Sequence, residues 1–421
     1  MSKKIKVLTL GDHPLSPSGV GTQTKYICRA LLDSGNFEIF SLGGAIKHMK
    51  YDLVSVSPYG NDWRILPVDG YGTQEMIRSI LRNEKPDIVW IMTDPRFYEW
   101  LWVIENEIRP LCPIVYYHVW DNYPPPYFNK KFYESNDFIA CISKLSHDIV
   151  KEVAPNVPSS YLPHAVDSSI FEYGDLEKRK HVRSKALPES ERDKFIFLWN
   201  NRNARRKQSG TLIWWFAEWL KENKLEDKAK LIMHTDPKDN HGQDLIHIIE
   251  HLGLTKGEVL FSTEKIDLQD MRNLYHIADC TINISDAEGF GLATLESLSC
   301  GTPIIATMTG GLQEQVISPE GECGVPIFPS SKCVIGSQQV PYIYEDRISG
   351  KAFKAALSKM YKMTPKARTD LGLVGHRHVK ENYNFEQFNQ RWVSLMTKIH
   401  EDCGSWETRK NYTSIKFEEL K

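Results

Sequence analysis

The feature that most constrains this chain is a recurring order: a short, continuously apolar run, a loop, then a stretch with helical spacing. Apolar runs at Ile5–Leu10, Ile88–Met92, Ile114–Val119 and Phe138–Ile142 occupy the first half. Runs at Phe195–Trp199, Leu231–His234, Val259–Phe261, Thr281–Ile284 and Pro303–Ala306 occupy the second. Continuous rather than alternating apolarity marks strands buried on both faces, as in parallel sheets. Between them, in Asp267–Cys280, residues Leu268, Met271, Leu274, Tyr275 and Ala278 share one helical face, with Asp267 placed to cap the start. The alternation predicts an α/β fold with parallel sheets.

A chain of 421 residues has room for about two such domains. The break is expected near 171–193, because Glu172–Asp193 is rich in charge and holds no convincing strand. A new strand then begins at Lys194–Trp199, much as Lys4–Leu10 opens the first half. The expected organisation is a first domain over 1–171, a second over 172–384, and a terminal segment, 385–421, whose helix packs back on the first. In that helix Phe388, Trp392, Leu395 and Met396 fall on one side. Residues 329–342 read as a surface loop.

Bulk properties exclude several classes. The 52 basic and 54 acidic residues leave a net charge of −2, so the surface as a whole is no polyelectrolyte partner for nucleic acid. Eight cysteines occur without a C-x-x-C pair, which argues against a zinc ribbon and for a reducing, cytoplasmic setting. The apolar run after Met1 is too short for a signal peptide, and no run of ~18 apolar residues marks a membrane span. In Leu212–Leu220, residues Leu212, Trp215, Phe216 and Trp219 share a face. This reads as a core-facing helix, with a peripheral membrane contact as the other reading.

The most informative stretch is Asn283–Ile304. A strand ends near Ser285, a glycine loop Gly289-Phe290-Gly291 follows, a helix starts near Leu292 and stops at Gly301, and another strand begins at Pro303. Glycines at a helix N-terminus let backbone N–H groups approach an anion, and the helix dipole favours its charge. Glu288 and Glu296 bracket this site. A carboxylate inside the first turns can accept two hydrogen bonds from a cis-diol such as ribose, and one nearer the strand end can reach sugar hydroxyls beyond the phosphates.

The string Asp286-Ala-Glu-Gly-Phe-Gly-Leu-Ala-Thr-Leu-Glu296 resembles the Glu-x7-Glu signature of retaining glycosyltransferases of family 4, and Cys300-Gly-Thr-Pro-Ile-Ile-Ala-Thr307 fits that family's run into the next strand. The resemblance implies a GT-B fold: two Rossmann-like domains with parallel sheets facing a central cleft, the first on the acceptor side, the second binding a nucleotide-sugar donor. Asn201-Arg202-Asn-Ala-Arg-Arg-Lys207-Gln208 resembles the family's Gly-Arg-x4-Lys-Gly phosphate clamp, with Asn201 and Gln208 departing from its glycines. Gly11–Gly21 resembles the N-terminal glycine loop. It lacks the Lys-Ser/Thr ending of a Walker A loop and the third glycine of a dinucleotide fingerprint.

Carried over residue by residue, the resemblance implies that Arg202, Lys207, Gly19, Gly21, Gly291, Leu292 and Ala293 bind the donor diphosphate and that Glu296 binds the ribose. Gly289 and Phe290 form the donor-sugar loop, and Glu288 and His118 act at the transferred sugar. Asp121 steers the acceptor. The expected reaction is transfer from a nucleotide sugar to a hydroxyl of a glycan, a lipid-linked sugar or another acceptor, with retention. No cofactor or metal is required, since no Asp-x-Asp signature is evident. Two other readings stay open: a nucleic-acid-modifying transferase, which the Arg202–Lys207 cluster permits but the balanced charge disfavours, and a non-catalytic sugar-nucleotide-binding subunit.

Overall fold

Strands β1 (Ile5–Asp12) and β2 (Phe37–Gly44) pair in parallel along their whole length, and the first helix, Gly19–Asp33, connects them. Around this unit, β3 (Val54–Val56), β4 (Gly60–Pro67), β5 (Ile88–Met92), β6 (Ile114–His118), β7 (Phe138–Cys141) and β8 (Ser159–Tyr161) complete an eight-stranded sheet in the order β3-β4-β2-β1-β5-β6-β7-β8. Only the β3–β4 pair is antiparallel. A second sheet holds β9 (Phe195–Asn200), β10 (Ala229–His234), β11 (Val259–Ser262), β12 (Cys280–Asn283), β13 (Ile304–Thr307) and Gly324–Ile327. Its order is β11-β10-β9-β12-β13 and then Gly324–Ile327, all parallel. This is a computed structural model, and it describes residues 3–413.

Both sheets reverse their winding beside their first strand. In the first sheet the chain runs from β1 to β2 and later returns to β5 on the other side of β1; in the second it runs outward through β10 and β11 and returns to β12 on the other side of β9. Crevices at such switch points, outside the carboxyl ends of the strands, are where doubly wound sheets bind ligands.

The helix Phe385–Cys403 crosses back to the first sheet. Its Trp392 is fully buried and meets Trp90 of β5 and Tyr117 of β6 edge to face, at centroid distances of 6.0 and 4.8 Å. Burying so large a ring contributes about 1.5–3 kcal/mol, and edge-to-face pairing adds to it. Beyond the helix, Arg409 pairs with Asp137 at 2.7 Å, and Ser405 donates to Asp87 at 2.6 Å. The helix Ser209–Asn223 turns Leu212, Phe216 and Trp219 into the second core and leaves Trp214 exposed.

The structure adds elements that apolar runs did not announce. β2 is broken by Glu38 and Ser41, and β4 begins in polar residues, so neither reads as a buried strand. The charge-rich 171–193 segment contains a helix, Leu176–Ala186, with no buried residue. Residues 329–342 are not a plain surface loop. They belong to an antiparallel hairpin, Ser331–Ile335 with Ile343–Arg347, whose tip residue Val340 is buried in the core of the first domain.

Candidate functional site: a cleft between two switch points

The carboxyl ends of β1, β5, β6, β9 and β12 converge on a cleft cavity of about 760 Å³. The first domain contributes Ser18, Gly19, Asp94, Arg96 and Val119–Asn122. The second contributes Arg202, Arg205–Lys207, Asn283 and Glu288–Ala293.

Two helix N-termini face each other here. Ser18 caps the Gly19–Asp33 helix, its Oγ accepting from the Gly21 amide at 2.9 Å. Opposite, the Leu292–Ser299 helix has Gly291 as its N-cap, in a left-handed conformation (φ +93°), and no side chain caps it. The two ends come close enough that a Cβ on Gly19 would touch Leu292 Cδ1 at 3.4 Å. Uncapped amides and two converging positive dipole ends suit an anion such as a diphosphate. Gly291 also has no room for a side chain: a Cβ would sit 2.6 Å from Leu312 and 2.8 Å from Thr294 Oγ1.

At the cleft floor Lys207 donates to the Glu288 carboxylate, and the two side chains are only 10% and 11% exposed. Asn283 Nδ2 also donates to Glu288, at 3.4 Å. Burial pushes the Glu288 carboxyl up, but Lys207 and Arg206 more than offset this and hold it below the usual range. Burial likewise lowers the Lys207 ammonium, against the pull of the Glu288 carboxylate. Arg206 donates to the Ala287 carbonyl, and its own carbonyl accepts from the Asp286 amide at 2.8 Å, so this cation is bound to the Glu288 loop. Asp121 completes the group from the first domain. Burial raises its carboxyl to about 6, with Arg206 pulling it down and Glu288 pushing it up.

Glu296 lies one turn inside the Leu292 helix, beyond the residues that line the cavity, where it accepts from Tyr275 Oη at 2.7 Å. Burial raises its carboxyl to about 7, against the effect of the Tyr275 hydrogen bond. Arg202 lines the cleft with its guanidinium turned to Asp239, at 2.6 and 3.1 Å, and to His241 Nδ1 at 2.7 Å. Arg205 is engaged by Glu345 in a two-pronged pair at 2.9 and 2.6 Å. Gln208 stands where the clamp pattern carries glycine, and it adopts φ +56°. Its side chain donates to Asp286 at 2.5 Å and accepts from Thr211 at 2.7 Å, which offsets the cost of that conformation.

Two sequence expectations change. His118 does not reach the cleft. It is wholly buried, its Nε2 bonded to Tyr133 Oη at 2.6 Å, and burial lowers its pKa to about 3, so the ring is a neutral packing group. The strand end turns this side chain into the core and brings Asp121, three residues on, to the cavity. Gly21 does not line the cavity either; a Cβ there would fall 2.3 Å from Ser16 Oγ and 2.7 Å from the His13 carbonyl, so it is a close-packing glycine. Phe290 touches the cavity but is 3% exposed and packs on His164 and Tyr383, with centroids at 4.9 and 5.7 Å. Glu314 bridges the domains, accepting from the Lys144 amide and from Tyr161 Oη, both at 2.6 Å.

Sequence reasoning held Arg206, with Arg205, only as a stand-in for Arg202 and Lys207, and it missed Asp94 and Arg96, which sit past a strand end in a stretch without a motif. Among the described residues no group of three His, Cys, Asp or Glu side chains is placed to hold a metal, and no helix is long and apolar enough to cross a membrane.

Comparison with known proteins bears on the second domain first. Residues 182–334 match the family model "Glycosyl transferases group 1". The chain is 29% identical over 182 residues to alpha-monoglucosyldiacylglycerol synthase of Streptococcus pneumoniae, spanning 43% of this chain and 39% of that protein. It is 22% identical over 224 residues to N-acetyl-alpha-D-glucosaminyl L-malate synthase of Bacillus anthracis, spanning 52% and 54%. These matches thus span about half or less of the relatives' own length. Among solved structures, sucrose-phosphate synthase from Thermosynechococcus elongatus superposes with a TM-score of 0.74 at 18% identity, over 95% of this chain and 100% of that one. HepE of Anabaena, in complex with UDP and glucose, gives 0.69 at 14% identity, over 93% and 99%. The chain has the GT-B fold, and its second domain carries a stretch similar to the glycosyl transferases of group 1.

Proposed function

We propose that this chain is a metal-independent glycosyltransferase that moves a sugar from a nucleotide donor to an acceptor hydroxyl with retention of anomeric configuration. The observation that carries the reading is the buried Lys207–Glu288 pair beside the uncapped Leu292 helix, at the second sheet's switch point. The similarity of residues 182–334 to group 1 glycosyl transferases supports it. The buried cysteines fit a reducing cytoplasm.

Sugar transfer leaves the anomeric carbon cationic and the departing phosphate more negative. The amides of Leu292 and Ala293 and the cations Lys207, Arg206 and Arg202 meet the developing charge on the diphosphate. Preorganised donors of this kind contribute about 3 kcal/mol each to lowering the barrier. Lys207 exchanges part of its pairing with Glu288 for the phosphate, freeing a Glu288 carboxylate oxygen to accept from sugar hydroxyls. Glu296 accepts from the ribose diol. The bond from the anomeric carbon to the phosphate oxygen breaks, and the acceptor oxygen bonds on the same face. The acceptor's proton passes to the departing phosphate, and Asp121 orients that acceptor from the first domain.

The test is transfer from a panel of UDP-, GDP-, ADP- and TDP-sugars, with the product anomer read by NMR. Glu288→Ala is expected to abolish transfer at saturating donor. Glu296→Ala is expected to raise donor KM and keep most of kcat. Full activity in both variants contradicts the assignment.

A further inference from the structure

The hairpin Ser331–Arg347 leaves the second domain and docks on the first. Asn122 Nδ2 donates to the Tyr344 carbonyl at 3.0 Å, the Tyr344 amide donates to the Tyr123 carbonyl, and Val340 inserts among first-domain core residues. Its base is tied to the donor side by Glu345, which holds Arg205, and by Arg347, which pairs with Asp286. The stretch that matches the glycosyl transferases of group 1 runs to residue 334, on the hairpin's first strand. Ile335 and Ile343 are cross-strand partners, so their side chains share one face, and both line the cleft together with Ser337 and Val340.

Asp94, Arg96 and Trp120 line the same cavity from the first domain. Asp94 accepts from the Arg96 amide, Nε and Nη2 at 3.0, 2.8 and 2.7 Å. A carboxylate has roughly four lone-pair sites, so this one retains a free acceptor position, and the guanidinium keeps N–H donors to spare. One acceptor and a few donors opposite an apolar wall match the hydroxyls and C–H face of a single sugar or polyol ring. The whole cavity, about 760 Å³, also has to hold the donor, and such a volume falls in the small-molecule range of about 300–1,000 Å³.

Resting on the glycosyltransferase reading, we propose that the hairpin is the acceptor-selecting wall of this enzyme. With Asp94 and Arg96 it forms a subsite for a small polyhydroxylated acceptor of about one ring, and its bridge to Asn122–Tyr123 blocks a polymer from running through the cleft.

The experiment uses the full chain with the nucleotide sugar that stabilises it, and glucose, myo-inositol and maltoheptaose as acceptors. Wild type is expected to transfer to, or be further stabilised by, a one-ring acceptor and not maltoheptaose. Ile343→Trp, which fills the subsite, is expected to raise the small-acceptor KM at least tenfold while the thermal shift with nucleotide stays at the wild-type value. Ile343→Ala is expected to admit the longer acceptor. Ser337→Trp, at the exposed turn, repeats the filling test if Ile343→Trp does not fold. Wild-type acceptor range and KM in the filling and opening variants, preference for maltoheptaose in wild type, or no response to any one-ring acceptor each overturn the proposal. Absence of nucleotide stabilisation in wild type is the separate failure of the donor reading, and the proposal falls with it.

Discussion

Lys207 and Glu288 form an ion pair at the floor of the cleft, one residue from the loop after β9 and the other from the loop after β12, both nearly sealed from water. Removing one partner leaves an uncompensated buried charge, which costs about 3–5 kcal/mol. Lys207→Ala is therefore expected to lower the melting temperature and to remove stabilisation by nucleoside diphosphates. The double variant Lys207→Met/Glu288→Leu is expected to recover most of the lost stability without recovering nucleotide binding or transfer. Calorimetry with and without nucleotide separates the two effects.

Arg202 is parked on Asp239 and His241, with its side chain 61% exposed. If it closes on the diphosphate, Arg202→Ala weakens nucleotide binding about tenfold, the equivalent of roughly 1.4 kcal/mol. Asp239→Asn releases the guanidinium and is expected to strengthen binding several-fold. Isothermal titration of both variants checks the direction.

Much of this was legible in the residues. The β12–β13 unit, with its glycine loop and carboxylates, followed from strand and helix punctuation, because a Gly in the left-handed region at position 291 leaves a visible mark. Asp267 was readable as an N-cap for the same local reason, and its side chain accepts from the Asp270 amide. The docked hairpin was not legible: Ser, Lys and Gln along 330–339 look like a loop, and what folds them is contact with residues some 220 positions away, such as Asn122 with Tyr344. The orientation of His118 was equally hidden. A strand end offers two faces, and only the packing of Tyr133 against the ring decides which one it takes.

Gly291→Ala tests the helix N-terminus. The left-handed backbone (φ +93°) and the 2.6 Å approach to Leu312 both oppose a Cβ. The variant is expected to lose about 1–3 kcal/mol of stability and most of its nucleotide affinity, read by denaturant titration and by titration calorimetry.

Glu296 sets a pH dependence. Its folded carboxyl titrates near 7, above the ordinary 4.5, so the native state binds more protons than the unfolded one between those values. Stability contributed by this group is present below the unfolded value and declines as pH rises through about 7. Glu296→Gln is accordingly expected to raise the melting temperature more at pH 8 than at pH 5. Ribose binding needs the carboxylate, so nucleotide affinity in the wild type is expected to fall as pH drops below about 7, and in Glu296→Gln that dependence is expected to flatten.

The most direct measurement is the thermal shift of the wild-type chain with UDP, GDP, ADP, TDP and their sugar conjugates, beside Lys207→Met/Glu288→Leu. A bound ligand at about 100 times its Kd stabilises by about 2.7 kcal/mol. The predicted result is stabilisation by one nucleotide series in the wild type and none in the variant. A flat panel on a well-folded wild type, or equal stabilisation of both proteins, contradicts a donor site built on Lys207 and Glu288.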